Sequence, residues 1–172
     1  REKQLSPLEF YEQAKAAMKL AARSRVQLIV NDRVDLALAV GAHGVHLGQD
    51  DVPPEAARRL LGPEAIIGYS THNVAQALAA ATEPIDYLAI GPIFKTATKS
   101  DISPVLGLDG LRAVRTALGN VPLVAIGGIT QANARDAIEA GADSVAVISA
   151  LLSDPQTIPT STQKLFSSLH SV

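Results

Sequence analysis

The chain has no cysteine and no tryptophan, only 3% aromatic residues, and a formal charge of just -2 over 172 residues. Each shortage removes a class of function. Without cysteine there is no disulfide framework, no thiol nucleophile and no thiolate-bound metal, which fits a reducing compartment; the cytoplasm is the expected location. Three tyrosines and three phenylalanines are too few for an aromatic-rich β-sandwich core. They favour thin layers of small aliphatic residues, helix on sheet. The slight negative charge argues against a general nucleic-acid or membrane surface, and no apolar run is long enough to cross a bilayer. Any anionic ligand must therefore be met by positive charge held locally.

What the chain does have is 47% hydrophobic residues, 12 glycines and enough length for one domain with a substantial core. Residues 1–172 are read as that single domain, with 153–172 its C-terminal helix. Short, nearly continuous apolar runs, as in strands buried on both faces, fall at 27–30, 44–47, 66–70, 87–90, 123–126 and 144–148. Helical patterns lie between and around them, at 6–22, 34–40, 54–61, 74–82, 108–118, 133–140 and 156–169, with a short segment at 149–152. The sequence Ser6-Pro7-Leu8-Glu9 is a capping box with proline at the first helical position. Gly41, Gly62, Gly119 and Gly141 stand where helices stop.

Strand starts recur roughly every 17–22 residues, apart from one gap of about 36, which is the length of a βα unit. With no hairpin signal, the sheet should be parallel, either open and doubly wound or closed as a (β/α)₈ barrel. No G-x-G-x-x-G follows the first strand, and the units are short and regular, so the barrel is preferred. Only about six of its eight strands are present. The chain begins at Arg1 and not at Met, so the expectation is a TIM-type barrel whose N-terminal part is absent.

Barrel chemistry sits just past the C-terminal ends of the strands, and every such position here is polar or glycine. Asn31 and Asp32 follow the first strand; Gly48, Gln49, Asp50 and Asp51 the second; Ser70, Thr71 and His72 end the third. Gly127, Gly128 and Thr130 follow the fifth strand and Ser149 the sixth. Helix capping is an alternative role for Asp32, Asp51, Ser70, Thr71 and Thr130 taken singly, but an inadequate account of all of them together. Asp32 and Asp51 lie beyond strands that sit about 4.8 Å apart if they pair. Two carboxylates at that spacing repel unless a cation lies between them, and Mg²⁺ suits such a pair, with Asp50 competing for the second role. His46, inside a strand, reads as a packed interior histidine. No His/His/carboxylate set suggests zinc.

The 36-residue gap holds Gly91 to Asp101, GPIFKTATKSD, which cannot build a core. Its hydroxyls and ammonium groups at Thr96, Thr98 and Lys99 are what a phosphorylated ligand wants. The turns at Gly127-Gly128 and Ile148-Ser149 occupy the usual phosphate position of barrels. Arg1, Lys3 and Lys99 fall at rim positions, with Lys95 a fourth.

These pieces together resemble the thiamine phosphate synthase (thiamine-phosphate pyrophosphorylase) family. The matching segments are REK at 1–3, NDRVDLA at 31–37, GVHLGQDD at 44–51, GYSTH at 68–72, GPIFKTATK at 91–99, AIGGIT at 125–130 and VIS at 147–149. The family's first motif reads Gln-x-Arg-x-Lys, whose Gln would precede Arg1, and Lys95 stands where the family more often has Pro. The resemblance implies a (β/α)₈ barrel. It implies an enzyme, a transferase that joins hydroxymethylpyrimidine diphosphate to a thiazole phosphate (or its carboxylated form), releasing pyrophosphate. It assigns Mg²⁺ to Asp32 and Asp51, and the diphosphate to Arg1, Lys3, Asn31 and Lys99. Ser70 goes to the pyrimidine, Lys99 and Ser70 being the catalytic pair. Thr96 and Thr98 go to the thiazole phosphate, together with the backbone of Gly128, Ile148 and Ser149. The rivals are a sibling thiazole tautomerase, with His72 as acid/base and no need of the Mg²⁺ pair, and a truncated barrel that binds phosphate without turnover. All partners expected are small molecules.

Overall fold

A computed structural model describes residues 5–96 and 104–170. Its contacts gather these residues into two compact units, the first running to Ser70 with Thr82–Asp86 added, the second holding Thr71–Ala81 and everything from Tyr87 on.

The first unit opens with helix α1 (Pro7–Ser24), started as the sequence requires: Ser6 accepts from the Glu9 amide, and the Glu9 carboxylate accepts from the Ser6 amide at 2.9 Å. Strand β1 (Ile29–Asn31), helix α2 (Val34–Val40), strand β2 (Gly44–Leu47), helix α3 (Pro54–Leu61) and strand β3 (Ile66–Thr71) follow. β1 pairs with β2, and β2 with β3, all parallel. The register aligns Asn31 with His46 and His46 with Gly68.

Side chains alternate across a strand, so this register sorts the sheet into two faces. Val30, Val45, Leu47 and Ile67 form one face, buried with Val34, Leu36 and Ala37 of α2 and Ala57 of α3. Each large aliphatic enclosed there stabilises the fold by about 1.5–3 kcal/mol. Asn31, His46, Gly68 and Ser70 belong to the other face. The polar residues are thus kept off the helix-packed core by the period of the strand alone.

The second unit repeats the plan: helix α4 (Val74–Ala80), strand β4 (Tyr87–Ile90), helix α5 (Gly107–Leu118), strand β5 (Leu123–Ile126), helix α6 (Ala134–Glu139) and strand β6 (Ser144–Ala146). Parallel pairing runs β4 to β5 to β6. Leu88, Ile90, Leu123 and Ala125 are fully enclosed. Helix α7 (Ser149–Leu152), a 3₁₀ turn (Pro155–Thr157) and helix α8 (Ile158–His170) complete it. The helix-to-strand joints at Gly41-Ala-His-Gly44 and Gly141-Ala-Asp-Ser144 make the same bonds: Ala42 and Ala142 donate to Ala37 and Ala137, His43 and Asp143 to Leu28 and Leu123.

Three expected strands shift, β3 by running one residue further, to Thr71. β1 begins at Ile29 and includes Asn31, and β6 ends at Ala146 because Ile148 turns to φ -123, ψ -75 at the start of α7.

Candidate functional site

The turns after β1 and β2 carry the two acidic residues. The Asp32 amide donates to the His46 carbonyl at 2.8 Å, extending the β1–β2 ladder by one bond. Asp32 then takes a left-handed backbone, φ +63, uncommon for a non-glycine residue. Its Oδ1 accepts from Asn31 Nδ2 at 2.5 Å. After β2 the chain turns at Gly48, whose amide donates to Asp51 Oδ2 at 2.7 Å. Asp50 is exposed on that turn, whereas Asp51 is half-buried.

Neither aspartate caps a helix. The residue at the N-cap is Arg33 for α2, Pro53 for α3, Asn73 for α4 and Asn133 for α6. Asp32, Asp51, Ser70, Thr71 and Thr130 thus occupy none of these N-cap positions, where their residue types are most favoured. Thr71 instead lies buried with its hydroxyl on the Ala89 carbonyl at 3.1 Å.

Asp32 and Asp51 are hard oxygen donors, each with one carboxylate oxygen oriented by a neighbouring N–H. Mg²⁺ takes one or two such carboxylates and completes its shell with water and phosphate oxygens, so the residues present fit that ion. Among the described residues no set of three or more His, Cys, Asp or Glu groups gathers as a metal site.

Ser70 is held twice. His46 Nε2 lies 2.8 Å from its Oγ, and Gln49 Nε2 donates to its carbonyl at 2.7 Å. Burial pushes the His46 imidazole down to about 4, against the opposing pull of the Asp51 charge, so the ring is neutral at neutral pH. Burial also raises the Tyr69 phenol, and the charges of Glu83, Asp51 and Asp50 add to the effect. His46 lies in β2 and burial dominates its environment, in keeping with a packed interior histidine, and beside that packing it makes a contact with Ser70. The signal of that contact was available only through strand register, since the two residues are 24 positions apart.

In the second unit, the base of the Thr/Lys loop is tied to its neighbours. Gly91 donates to the Thr71 carbonyl, Ile93 to Ile126, and Phe94 to Gly127. On the far side, Leu106 and Gly107 donate back to Pro92 and Ile93. His72 Nδ1 lies 2.6 Å from the Gly91 carbonyl, which makes Nδ1 the protonated nitrogen of that bond. Gly128 has φ +66, and a Cβ there would stand 2.6 Å from the Lys95 carbonyl oxygen. Only glycine lets that turn approach the loop so closely. Thr96 is half-buried, Ser149 is exposed at the first position of α7, and Ile148 precedes it. Arg1, Lys3, Thr98 and Lys99 lie outside the described residues.

Comparison with known proteins is direct. The family model described as thiamine monophosphate synthase matches residues 1–151. Thiamine-phosphate synthase of Koribacter versatilis is 56% identical over 156 residues, covering 91% of this chain and 73% of that protein. Its counterpart in Chloroflexus aurantiacus is 53% identical over 152 residues, covering 88% and 69%. The solved thiamine phosphate pyrophosphorylase of Pyrococcus furiosus superposes with a TM-score of 0.88 at 38% identity, over 98% of this chain and 80% of that one. The α/β architecture expected from the strand spacing, a TIM-type (β/α) barrel represented among the described residues by six strands, is thereby established. Sequence, fold and the placement of the polar turns agree, and the chain belongs to the thiamine monophosphate synthase family.

Proposed function

We propose that this transferase of the thiamine monophosphate synthase family joins a hydroxymethylpyrimidine diphosphate to a thiazole phosphate, forming thiamine phosphate and pyrophosphate. The observation that carries the site assignment is the position of Asp32 and Asp51 on the turns that follow β1 and β2, two strands hydrogen-bonded side by side in parallel. Mg²⁺ at these carboxylates would neutralise the charge that builds on the departing pyrophosphate. Asn31, adjoining Asp32, supplies amide hydrogens beside it, and Arg1, Lys3 and Lys99 supply the cations for the same anion. Ser70 meets the pyrimidine. Thr96 and Thr98, with the backbone at Gly128, Ile148 and Ser149, take the thiazole phosphate.

The chemistry asks little else of the protein. An aminopyrimidine pushes electron density toward its CH₂–O bond, the bond breaks with both electrons leaving on the diphosphate, and the thiazole nitrogen forms the new C–N bond. No protein nucleophile is needed. The chain stabilises the anion and holds the nitrogen in line. A cytoplasmic location is part of the same reading, on the cysteine-free composition; among the described residues no helix is long and apolar enough to cross a membrane.

Isothermal titration with pyrophosphate, with and without Mg²⁺, tests the proposal. Tight binding that requires Mg²⁺ is expected. Binding indifferent to Mg²⁺ fits the tautomerase instead, and no binding removes the diphosphate site. D51A and K99A should each lower turnover sharply in a protein that remains folded.

A further inference from the structure

We infer that His46 is a positioning residue for Ser70, its imidazole selecting the orientation in which the serine hydroxyl meets the pyrimidine substrate. This rests on the Ser70 role proposed above. A serine side chain has three staggered rotamers and a freely turning O–H. Here the backbone of Ser70 is fixed by the Gln49 amide on its carbonyl at 2.7 Å, and His46 Nε2 stands 2.8 Å from the hydroxyl oxygen. The strand register puts His46 on the same sheet face as Asn31 and Ser70, away from the helix-packed core. A neutral imidazole offers one donor and one acceptor nitrogen. Whichever sense the ring adopts, Nε2 occupies one side of the hydroxyl and leaves the opposite sense for the ligand. His46 also reaches the acidic turn, but through its backbone: its carbonyl accepts the Asp32 amide at 2.8 Å. A side-chain substitution at 46 therefore removes the contact with Ser70 and spares that main-chain bond.

The alternative is that Ser70 merely satisfies a half-buried histidine, and a mutant cycle separates the two. In the full chain, S70A, H46L and H46L/S70A are compared by steady-state kinetics with each substrate varied in turn. H46L is expected to lower kcat/KM for the pyrimidine diphosphate about tenfold, the worth of one aligned hydrogen bond, while KM for the thiazole phosphate stays within twofold. The double variant should fall no further than S70A, because His46 acts through a hydroxyl already removed. H46Q, whose amide reaches to about the Nε2 position, should recover most of the loss; H46N, one methylene shorter, should not. That pair gives the reading even if H46L fails to fold. Additive losses in the double variant, or an equal rise in the thiazole KM, overturn the inference. An impaired S70A beside a fully active H46L and H46N also overturns it and leaves the Ser70 assignment standing. A fully active S70A removes both.

Discussion

Arg58 Nη2 lies 2.8 Å from Asp86 Oδ2, and the same carboxylate oxygen accepts the Ile67 amide at 2.7 Å. The guanidinium also donates to the carbonyls of Gly62, Pro63, Ala65 and Pro84. It thereby ties the end of α3, the start of β3 and the approach to β4 together. Arg115 and Asp143 repeat the device 57 positions on, from 58 to 115 and from 86 to 143. There the carboxylate accepts from Leu123, and the guanidinium donates to Gly119, Val121 and Gly141.

The arginine should matter more than the acid. Asp86 is 46% exposed at its side chain, and an ion pair so open to water contributes at most about 1 kcal/mol. Removing Arg58 strips four carbonyls of their donor at once, those of Gly62 and Ala65 part-buried, so R58A is expected to cost about 2–4 kcal/mol in urea unfolding. The exposed Arg59–Glu55 pair one residue along is the control, with R59A within about 0.5 kcal/mol of the parent. Equal effects at 58 and 59 would remove the clamp from the account.

The fold was legible where one physical demand ruled. The intervals 44–47, 87–90 and 123–126 match observed strands because a continuous aliphatic run buried between layers has no other use at that length. The polar side chain of Asn31 places it just beyond a strand in the sequence, yet its backbone pairs with His46. Val147 and Ile148 look like strand from side chains alone, while the chain there is already turning into α7. The acidic turns were visible in sequence. What was not visible is which oxygen each carboxylate commits to the backbone, and the contact from His46 to Ser70, since register is a property of two strands and not of either one.

Gly128 offers a test of the loop's support. Alanine there meets both a left-handed backbone and the main chain at Phe94 and Lys95, 2.6–2.8 Å from the new methyl. The backbone strain and the clash together should cost about 1–3 kcal/mol and displace the segment leading to Thr96. In kinetics, G128A is expected to raise KM for the thiazole phosphate about tenfold, with Mg²⁺-dependent pyrophosphate binding within twofold of the parent. A selective loss of pyrophosphate binding would reverse the assignment of the two anion sites.

Alkaline stability depends on Tyr87, the first residue of β4. Burial pushes its phenol up to about 12, against roughly 10 in an unfolded chain. The folded form holds its proton longer, so the contribution is fully present below pH 10 and is lost as pH rises from 10 through 12. It amounts to about 2.7 kcal/mol at most, less whatever solvent reaches the ring. Y87F should flatten the urea midpoint over that interval and leave it unchanged at pH 8. A parent protein with no slope between pH 10 and 12 would show Tyr87 to be in contact with solvent.

Asp32 separates function from stability at a single position. Its left-handed φ of +63 is one that asparagine and glycine adopt more readily than other residues, and its charge is one of the two acids on adjoining turns. D32N keeps the backbone preference and the side-chain shape while removing the charge. It should lose Mg²⁺-dependent pyrophosphate binding by about a hundredfold, roughly 2.7 kcal/mol, while its urea midpoint in metal-free buffer equals or exceeds that of the parent. D32A discards both the charge and the tolerance of positive φ, so it should lose binding equally and also unfold about 1 kcal/mol sooner. The contrast is informative because the two variants share one functional defect, while D32A alone also gives up the tolerance of positive φ and the oxygen that accepts from Asn31. Retained Mg²⁺-dependent binding in D32N would show that residue 32 is not a ligand of the ion.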